Sequence, residues 1–185
     1  MPRYWFPKPY ADVAARLRVP GGFLLVAAFA WCSRPTVRSL WVGMPVAALG
    51  LALRGWAAGH LAKNRSLATG GPYAYTRNPL YLGTLLVAAG LAAAARNPWL
   101  AGLFAAVFVL IYLPVIEQEE QHLRKIFPGY AEYARQVPAL WPRFPGQKMG
   151  GSPNPFRIEL YLRNQEYQAS AGFLAGLLFL VWRVL

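Results

Sequence analysis

Residues 100–113 read LAGLFAAVFVLIYL, a stretch that carries no charge and presents no polar face when it is drawn as a helix. A helix on the surface of a soluble bundle would alternate apolar and polar faces, because one side of it meets water. Comparable apolar blocks occupy residues 17–32, 40–62, 80–95, 99–116 and 169–182. We therefore predict an all-α integral membrane protein with about five transmembrane helices.

The composition supports this fold class, since 56% of the 185 residues are hydrophobic and only 14% are charged. Several blocks are shorter than the ~20 residues that span a bilayer, so flanking aromatic and arginine side chains are expected to complete the spans. We predict a single membrane domain over residues 1–185, with an interfacial segment at 1–18 and an additional C-terminal helix at 156–185. The single cysteine, Cys32, excludes an internal disulfide, and no metal site is predicted.

The net charge of +12 is typical of nucleic-acid binding, but the basic residues sort by the side of the membrane instead. If the N-terminus is cytoplasmic, fifteen lysines and arginines lie inside. The four on the other side are Arg34, Arg38, Arg96 and Arg183. The positive-inside rule therefore predicts a cytoplasmic N-terminus, with membrane lipids rather than nucleic acid as the surroundings.

Two polar segments, residues 60–83 and 117–143, are separated by one helical hairpin whose ends lie at the same membrane face. They are therefore expected to meet and to form a pocket. The first segment contributes backbone exposed by Gly70 and Gly71 and the cation Arg77, and the second contributes carboxylates at 117, 119 and 120. Glu117 is expected to face solvent.

These segments carry the motifs LATGGPYAYTRNPLYLG at residues 67–83 and EEQHLRKIFPGYAEY at 119–133. In this order and spacing they resemble the superfamily of isoprenylcysteine carboxyl methyltransferases and phospholipid methyltransferases, and the resemblance covers residues 50–142. It implies methyl transfer from S-adenosylmethionine to a lipophilic, membrane-associated acceptor, with a cofactor pocket that faces the cytoplasm.

The resemblance also assigns roles to individual residues. The residues implied to bind the cofactor are His60, Ser66, Leu67, Ala68, Tyr73, Asn78, Pro79, Leu80, Tyr81 and Glu119. Arg77 and Glu120 are the predicted catalytic residues, and Arg77 is expected to hold an anionic acceptor or the carboxylate of the cofactor. Tyr130 and Tyr133 lie three residues apart on one helix face and are expected to pack beneath the pocket, whereas His122 is expected to be exposed.

Elementary chemistry is consistent with these roles. The cofactor carries a sulfonium and an ammonium, so a carboxylate such as Glu119 would pair with positive charge, and a tyrosine face attracts a cation. Methyl transfer to a carboxylate neutralises charge, so it depends on alignment and exclusion of water and needs no strong base.

Three departures from the resemblance leave the acceptor open. Asn78 stands where the prenylcysteine enzymes have histidine, and Val115 and Ala139 stand where arginines are expected. An isoprenylcysteine-like carboxylate is the predicted acceptor, and a phospholipid amine is the alternative. A nicotinamide-dependent membrane reductase and a non-catalytic scaffold are further alternatives. Gly172 and Gly176 have the spacing of a helix-packing motif, for oligomerisation or for packing within the bundle.

Overall fold

Apolar helices form most of the protein in the computed structural model, which describes residues 5–147 and 155–185. The helices are α1 Lys8–Cys32, α2 Val37–Ala58, α3 Pro79–Ala95, α4 Pro98–Val107, α5 Leu113–Ile126, α6 Tyr130–Gln136, α7 Ile158–Arg163 and α8 Tyr167–Val184. A π-helical segment, Phe108–Tyr112, joins α4 to α5 in one continuous helix over Pro98–Ile126. Within these described residues, four helices are long and apolar enough to cross a membrane, and α3 is a shorter apolar helix. The prediction of an all-α integral membrane protein is confirmed.

The ends of the chain differ in detail from the prediction. Residues 8–18 of the predicted interfacial segment are helical and continuous with the first span, whereas residues 1–4 lie outside the described part. The predicted C-terminal helix is two helices, because Gln165 adopts a left-handed conformation between α7 and α8. The first of these carries no buried residue, and the second supplies the fifth apolar helix.

Helices α2 and α3 approach each other closely through glycines. A Cβ atom on Gly50 would lie 2.6 Å from the carbonyl oxygen of Gly83, and one on Gly83 would lie 2.5 Å from the Cγ of Arg54. Gly43 and Gly90 face each other in the same way one heptad further along. Small residues allow backbones of membrane helices to pack at short distance, where apolar attraction between helices is weak.

The long helix Pro98–Ile126 widens where a proline interrupts its hydrogen bonds. Pro114 has no N–H to donate to the carbonyl of Leu110, four residues earlier. That carbonyl lies in the π-helical segment and accepts a 2.7 Å hydrogen bond from the hydroxyl of Tyr10 instead. A side chain of α1 thus satisfies a backbone group that an apolar environment would penalise.

The C-terminal helices make hydrogen bonds to the rest of the bundle at both of their ends. The amide of Asn164 donates to the carbonyls of Ala58 and Leu61, both at 2.9 Å, where α2 has ended. At the other end Arg183 donates to the carbonyl of Ser33, and between the two Leu180 is fully buried. The C-terminal helices are therefore part of the packed bundle.

Candidate active site

The loop after α2 is shaped by a histidine and a glycine. His60 is buried, and its Nδ1 lies 2.9 Å from the carbonyl oxygen of Trp56. Gly71 has a φ of +57°, and a Cβ there would lie 2.6 Å from the Nε2 of His60. Only glycine suits that position, because the backbone is left-handed and the imidazole fills the space of a side chain. The chain then forms a short 3₁₀ turn, Gly71–Ala74, that buries Tyr73.

An arginine clasp ties this loop to α5 and α6. The guanidinium of Arg77 makes two hydrogen bonds of 2.9 Å to the carboxylate of Glu120, and donates to the carbonyls of Ala134 and Val137 at 2.8 and 2.7 Å. Asn78 adds a 3.0 Å hydrogen bond to the same carboxylate. Burial by itself lowers the pKa of Arg77, but the hydrogen bond and the charge of Glu120 outweigh it and raise the pKa overall.

The clasp changes the interpretation of two predicted catalytic residues. Four of the five N–H donors of Arg77 are already bound to protein atoms. The side chains of Arg77 and Glu120 are only 12% and 14% exposed. The expected grip of Arg77 on an anionic acceptor does not fit this arrangement, which instead holds three polar segments together.

A cavity of about 330 Å³, called the site cavity below, lies between the loop after α2 and the helices α5 and α6. This volume falls within the roughly 300–1,000 Å³ that small-molecule sites occupy. Its lining residues are Leu61, Lys63, Asn64, Ser66, Leu67, Ala68, Tyr73, Arg77, Glu119, His122, Leu123, Phe127, Tyr130 and Tyr133. The lining of the cavity therefore combines apolar side chains with acidic and basic ones.

The acidic group of the site cavity is the half-exposed Glu119. Its Oε1 accepts a 2.8 Å hydrogen bond from the hydroxyl of Tyr81 and lies 3.8 Å from the Nη1 of Arg18 in α1. Tyr73 is buried beside the cavity. Its burial, followed by the nearby charges of Glu119 and Glu166, raises the pKa of its hydroxyl, which therefore stays neutral.

Two tyrosines of α6 line the site cavity with only 1% of their surface exposed. The hydroxyl of Tyr133 donates to the carbonyl of Tyr73 at 2.8 Å. The hydroxyl of Tyr130 is buried and makes no hydrogen bond of standard geometry among the described residues, although the nearby Arg77 guanidinium partly offsets the rise in its pKa that burial causes. A buried polar group without a partner is costly, and a polar ligand in the cavity would supply one. Together with the Glu119 carboxylate, these groups fit a cofactor that carries positive charge and hydrogen-bonding groups.

The structure brings some of the predicted site residues together at the site cavity and places the others around it. Those that line it are Ser66, Leu67, Ala68, Tyr73, Arg77 and Glu119. Those outside the lining are His60, Asn78, Pro79, Leu80, Tyr81 and Glu120. Five of these six still support the lining residues: Leu80 packs against Ala68 and Tyr73, Tyr81 binds Glu119, and Asn78 and Glu120 belong to the clasp. His60 supports the glycine turn from behind.

Sequence reasoning overlooked several lining residues, although a helical pattern carried the signal. Positions 119, 122, 123 and 127 follow the spacing of one helix face, so His122, Leu123 and Phe127 share the side of Glu119. His122 is exposed, as predicted, yet it also lines the cavity. Lys63 and Asn64 lie in a loop, and no periodicity could have indicated them.

Glu117 is not left to solvent as expected. Its carboxylate accepts hydrogen bonds from the backbone N–H groups of Trp5 and Phe6, at 2.8 and 3.2 Å. The prediction was wrong because it considered only the charged helix on which Glu117 lies. The N-terminal segment folds back and supplies the donors, which no local pattern reveals.

A second cavity, called the apolar cavity below, lies among the apolar helices α1, α3, α4 and α8. It has a volume of about 570 Å³ and an almost wholly apolar lining, which includes Gly22, Phe29, Thr84, Phe108, Tyr112 and Gly176. Gly172 and Gly176, the predicted packing motif, both line it, and a Cβ on either would meet no atom within 4 Å. Within the described chain these glycines border a space.

Comparison with known proteins identifies the family. The model of the phospholipid methyltransferase family matches residues 21–129, which include α1 from its second half, the loop after α2 and all of α5. The chain belongs to the phospholipid methyltransferase family. This confirms the superfamily that the motifs indicated. The matched residues include Gly22, which lines the apolar cavity, and α5, the helix that carries Glu119 and Glu120.

Two relatives of this phospholipid methyltransferase family member are named for resistance to metals. A cobalt-zinc-cadmium resistance protein of Cupriavidus metallidurans is 40% identical over 106 residues, which cover 56% of this chain and 49% of the relative. A nickel-cobalt-cadmium resistance protein of Alcaligenes xylosoxydans xylosoxydans is 35% identical over 115 residues, or 61% of this chain and 53% of the relative. The chain thus spans about half the length of these relatives. No solved structure matches it.

Proposed function

We propose that this protein transfers a methyl group from S-adenosylmethionine to a lipophilic acceptor in the membrane, and that the acceptor is a carboxylate. The observation that carries the proposal is the site cavity, in which Glu119 and the partnerless hydroxyl of Tyr130 line a space of cofactor size. Membership of the family supports the reaction class. The names of the two relatives specify no methyl acceptor, so the acceptor is argued from the site.

Within the site cavity, Glu119 would pair with the cationic end of the cofactor, and Tyr130 would donate a hydrogen bond to it. The buried ring of Tyr73, with its neutral hydroxyl, would provide a surface for packing. The cofactor supplies an activated methyl group: the acceptor oxygen forms a bond to the methyl carbon while the carbon–sulfur bond breaks and its electron pair passes to sulfur. The Arg77–Glu120 clasp would act indirectly, by holding the loop, α5 and α6 in register.

The apolar cavity supports a lipophilic acceptor. Tyr112 lines this cavity, and its ring lies 5.9 Å from the ring of Tyr81, which binds Glu119. An acceptor whose apolar chain lay among these helices could present its polar end beside the methyl group. We also propose that this end of the bundle faces the cytoplasm, because fifteen of the nineteen basic residues lie on that side of the predicted spans.

The alternative acceptor that the family description favours is a phospholipid amine. An amine must lose a proton on methylation, so it needs a proton acceptor in the site, whereas a carboxylate does not. Assays with a lipophilic carboxylate and with phosphatidylethanolamine as methyl acceptors distinguish the two. Methylation of the phospholipid alone would overturn the carboxylate proposal and leave methyl transfer intact.

The first test is binding of S-adenosylmethionine and of its demethylated product to the detergent-purified protein, measured by calorimetry. Glu119→Gln should weaken binding of the methyl donor by about ten-fold or more, because a charge-assisted contact is lost. Glu132→Gln is the matched control, since that glutamate lies on the exposed side of α6, where it contacts Arg135 and Gln136. Absence of binding by folded wild-type protein, or equal binding by Glu119→Gln, would contradict the proposal.

A further inference from the structure

Arg18 is a cation of α1 that lies beside the carboxylate of the site cavity. Its Nη1 is 3.8 Å from the Oε1 of Glu119, and the two side chains are 45% and 49% exposed. This separation is longer than a hydrogen bond, and a half-exposed ion pair of this kind contributes little to stability. The contact is therefore easily exchanged for another partner.

Arg18 lies close to residues that line each of the two cavities. Gly22, one helical turn further along α1, lines the apolar cavity. On the opposite side Tyr81 donates its hydroxyl to the same oxygen of Glu119 and packs its ring against Tyr112, which also lines the apolar cavity. Arg18 itself is in the described lining of neither cavity, but it lies beside Glu119 of the site cavity and one helical turn from Gly22 of the apolar cavity.

Charge balance decides what Arg18 can bind once Glu119 is engaged. If the carboxylate pairs with the cationic end of the cofactor, the guanidinium of Arg18 loses its counter-ion but keeps its charge, because arginine does not deprotonate. Its planar fork suits two oxygens of one carboxylate. Arg77, the arginine that lines the site cavity, has four N–H donors already bound to protein atoms. Arg18 is therefore the better placed of the two to receive an anion.

We propose that Arg18 binds the carboxylate head of the methyl acceptor while the apolar chain of that acceptor occupies the apolar cavity. This inference rests on the proposed function and adds a specificity-determining residue to it. One carboxylate oxygen is held by Arg18, and the other forms the new bond to the methyl carbon as the carbon–sulfur bond breaks. No proton moves, so the acceptor needs only to be ionised and aligned.

The test is equilibrium binding of N-acetyl-S-farnesylcysteine, a lipophilic carboxylate, to purified protein saturated with the demethylated cofactor product. The neutral carboxamide of the same compound is the matched probe. Arg18→Gln should weaken binding of the carboxylate about ten-fold and leave binding of the carboxamide unchanged. Arg18→Lys should restore part of the loss, because it keeps the charge without the fork. Arg16→Gln, a nearby substitution on α1, should change neither affinity.

Three results would overturn the inference while the proposed function stands. In the first, wild-type protein that binds the cofactor product shows no saturable binding of the carboxylate. In the others, Arg18→Gln weakens binding of the carboxylate and the carboxamide equally, or weakens binding of neither. A loss of cofactor-product binding in Arg18→Gln would instead assign the arginine to the cofactor. If wild-type protein fails to bind the cofactor product at all, it is the proposed function that fails, and this first measurement separates the two.

Discussion

At the scale of single residues, Tyr130 and Tyr133 show how two neighbouring side chains of one helix can have different roles. Both are buried at the site cavity, but Tyr133 has a backbone partner in Tyr73 and Tyr130 has none among the described residues. A buried hydroxyl that has a protein partner stabilises the fold. A buried hydroxyl without a partner costs free energy, which a hydrogen bond to a bound ligand would recover. Glu120 follows the same logic, because its carboxylate is fully used by Arg77 and Asn78, while Glu119 is half exposed and accessible.

We expect Tyr130→Phe to weaken binding of S-adenosylmethionine by roughly two- to ten-fold, the value of one hydrogen bond of about 0.5–1.5 kcal/mol. The unliganded protein should keep its thermal stability, because no hydrogen bond is lost. Calorimetry and thermal unfolding in detergent measure the two effects. Tyr133→Phe is the matched control and should reverse the pattern, lowering stability by about 1 kcal/mol. A loss of stability in Tyr130→Phe without loss of affinity would contradict this assignment.

At the scale of elements, the helix α6 is stabilised by the burial of tyrosines between it and the loop, because it is too short to be stable by itself. It comprises only the residues Tyr130–Gln136, too few for a stable isolated helix. Burial, ahead of the charges and hydrogen bonds of neighbouring groups, raises the pKa of Tyr73, Tyr130 and Tyr133 above the usual value of about 10. The folded protein thus retains protons that the unfolded chain releases in alkaline solution.

This difference predicts the pH dependence of stability. The contribution of the three tyrosines is fully present below pH about 10 and is lost as the pH rises above that value, because the unfolded chain then binds fewer protons than the folded one. Thermal unfolding in detergent from pH about 8 to 11 should therefore show falling stability at the alkaline end. In Tyr133→Phe the fall should be shallower. An identical slope in the variant would mean that other groups cause the alkaline loss.

The packing of α2 on α3 is a second property of elements. It depends on glycines that meet the backbone of the opposite helix. Gly50→Leu should force the helices apart and lower the yield and the unfolding temperature of folded protein, because overpacking costs ~1–3 kcal/mol or more. Gly102→Leu in α4 is the matched control, since a Cβ there meets no atom within 4 Å. Equal tolerance of the two substitutions would contradict the close approach.

At the scale of the whole molecule, a largely buried ion pair joins the C-terminal helices to α2 and α3. Arg54 of α2 makes hydrogen bonds of 2.5 and 3.1 Å to the carboxylate of Glu166, at the start of α8, and one of 2.5 Å to Thr84 of α3. The ring of Phe156 lies 6.0 Å from that of His60. The segment after residue 155 therefore supports the loop of the site cavity, although the family match ends at residue 129.

We expect Glu166→Ala to lower the free energy of unfolding by about 3 kcal/mol, because it leaves the side chain of Arg54, only 23% exposed, without its charged partner. Binding of the cofactor should weaken as well, since α8 and the loop after α2 are tied together. Thermal unfolding and calorimetry measure the two effects. Glu159→Ala is the control, because Glu159 pairs with Arg157 at the surface, where both side chains are more than half exposed. Unchanged stability in Glu166→Ala would show that the pair contributes nothing.

The residues of the chain, read in order, determined the fold class, the number of apolar helices and the family. These features are local, because hydropathy, proline and glycine act within a few residues, and the motifs at 67–83 and 119–133 are contiguous. Six of the predicted site residues line the site cavity for the same reason, since five of them lie within these two motifs and Ser66 directly precedes the first.

Only the tertiary structure decided which charge meets which. Three glutamates that are neighbours in sequence have different partners. Glu117 contacts the N-terminal segment, and Glu119 contacts Arg18 and Tyr81. Glu120 contacts Arg77 and Asn78. The pairing of Arg54 with Glu166 joins residues 112 positions apart. Partners at such distances depend on how the helices pack, and the free energy of burying a charge, which no local pattern records, selects among them.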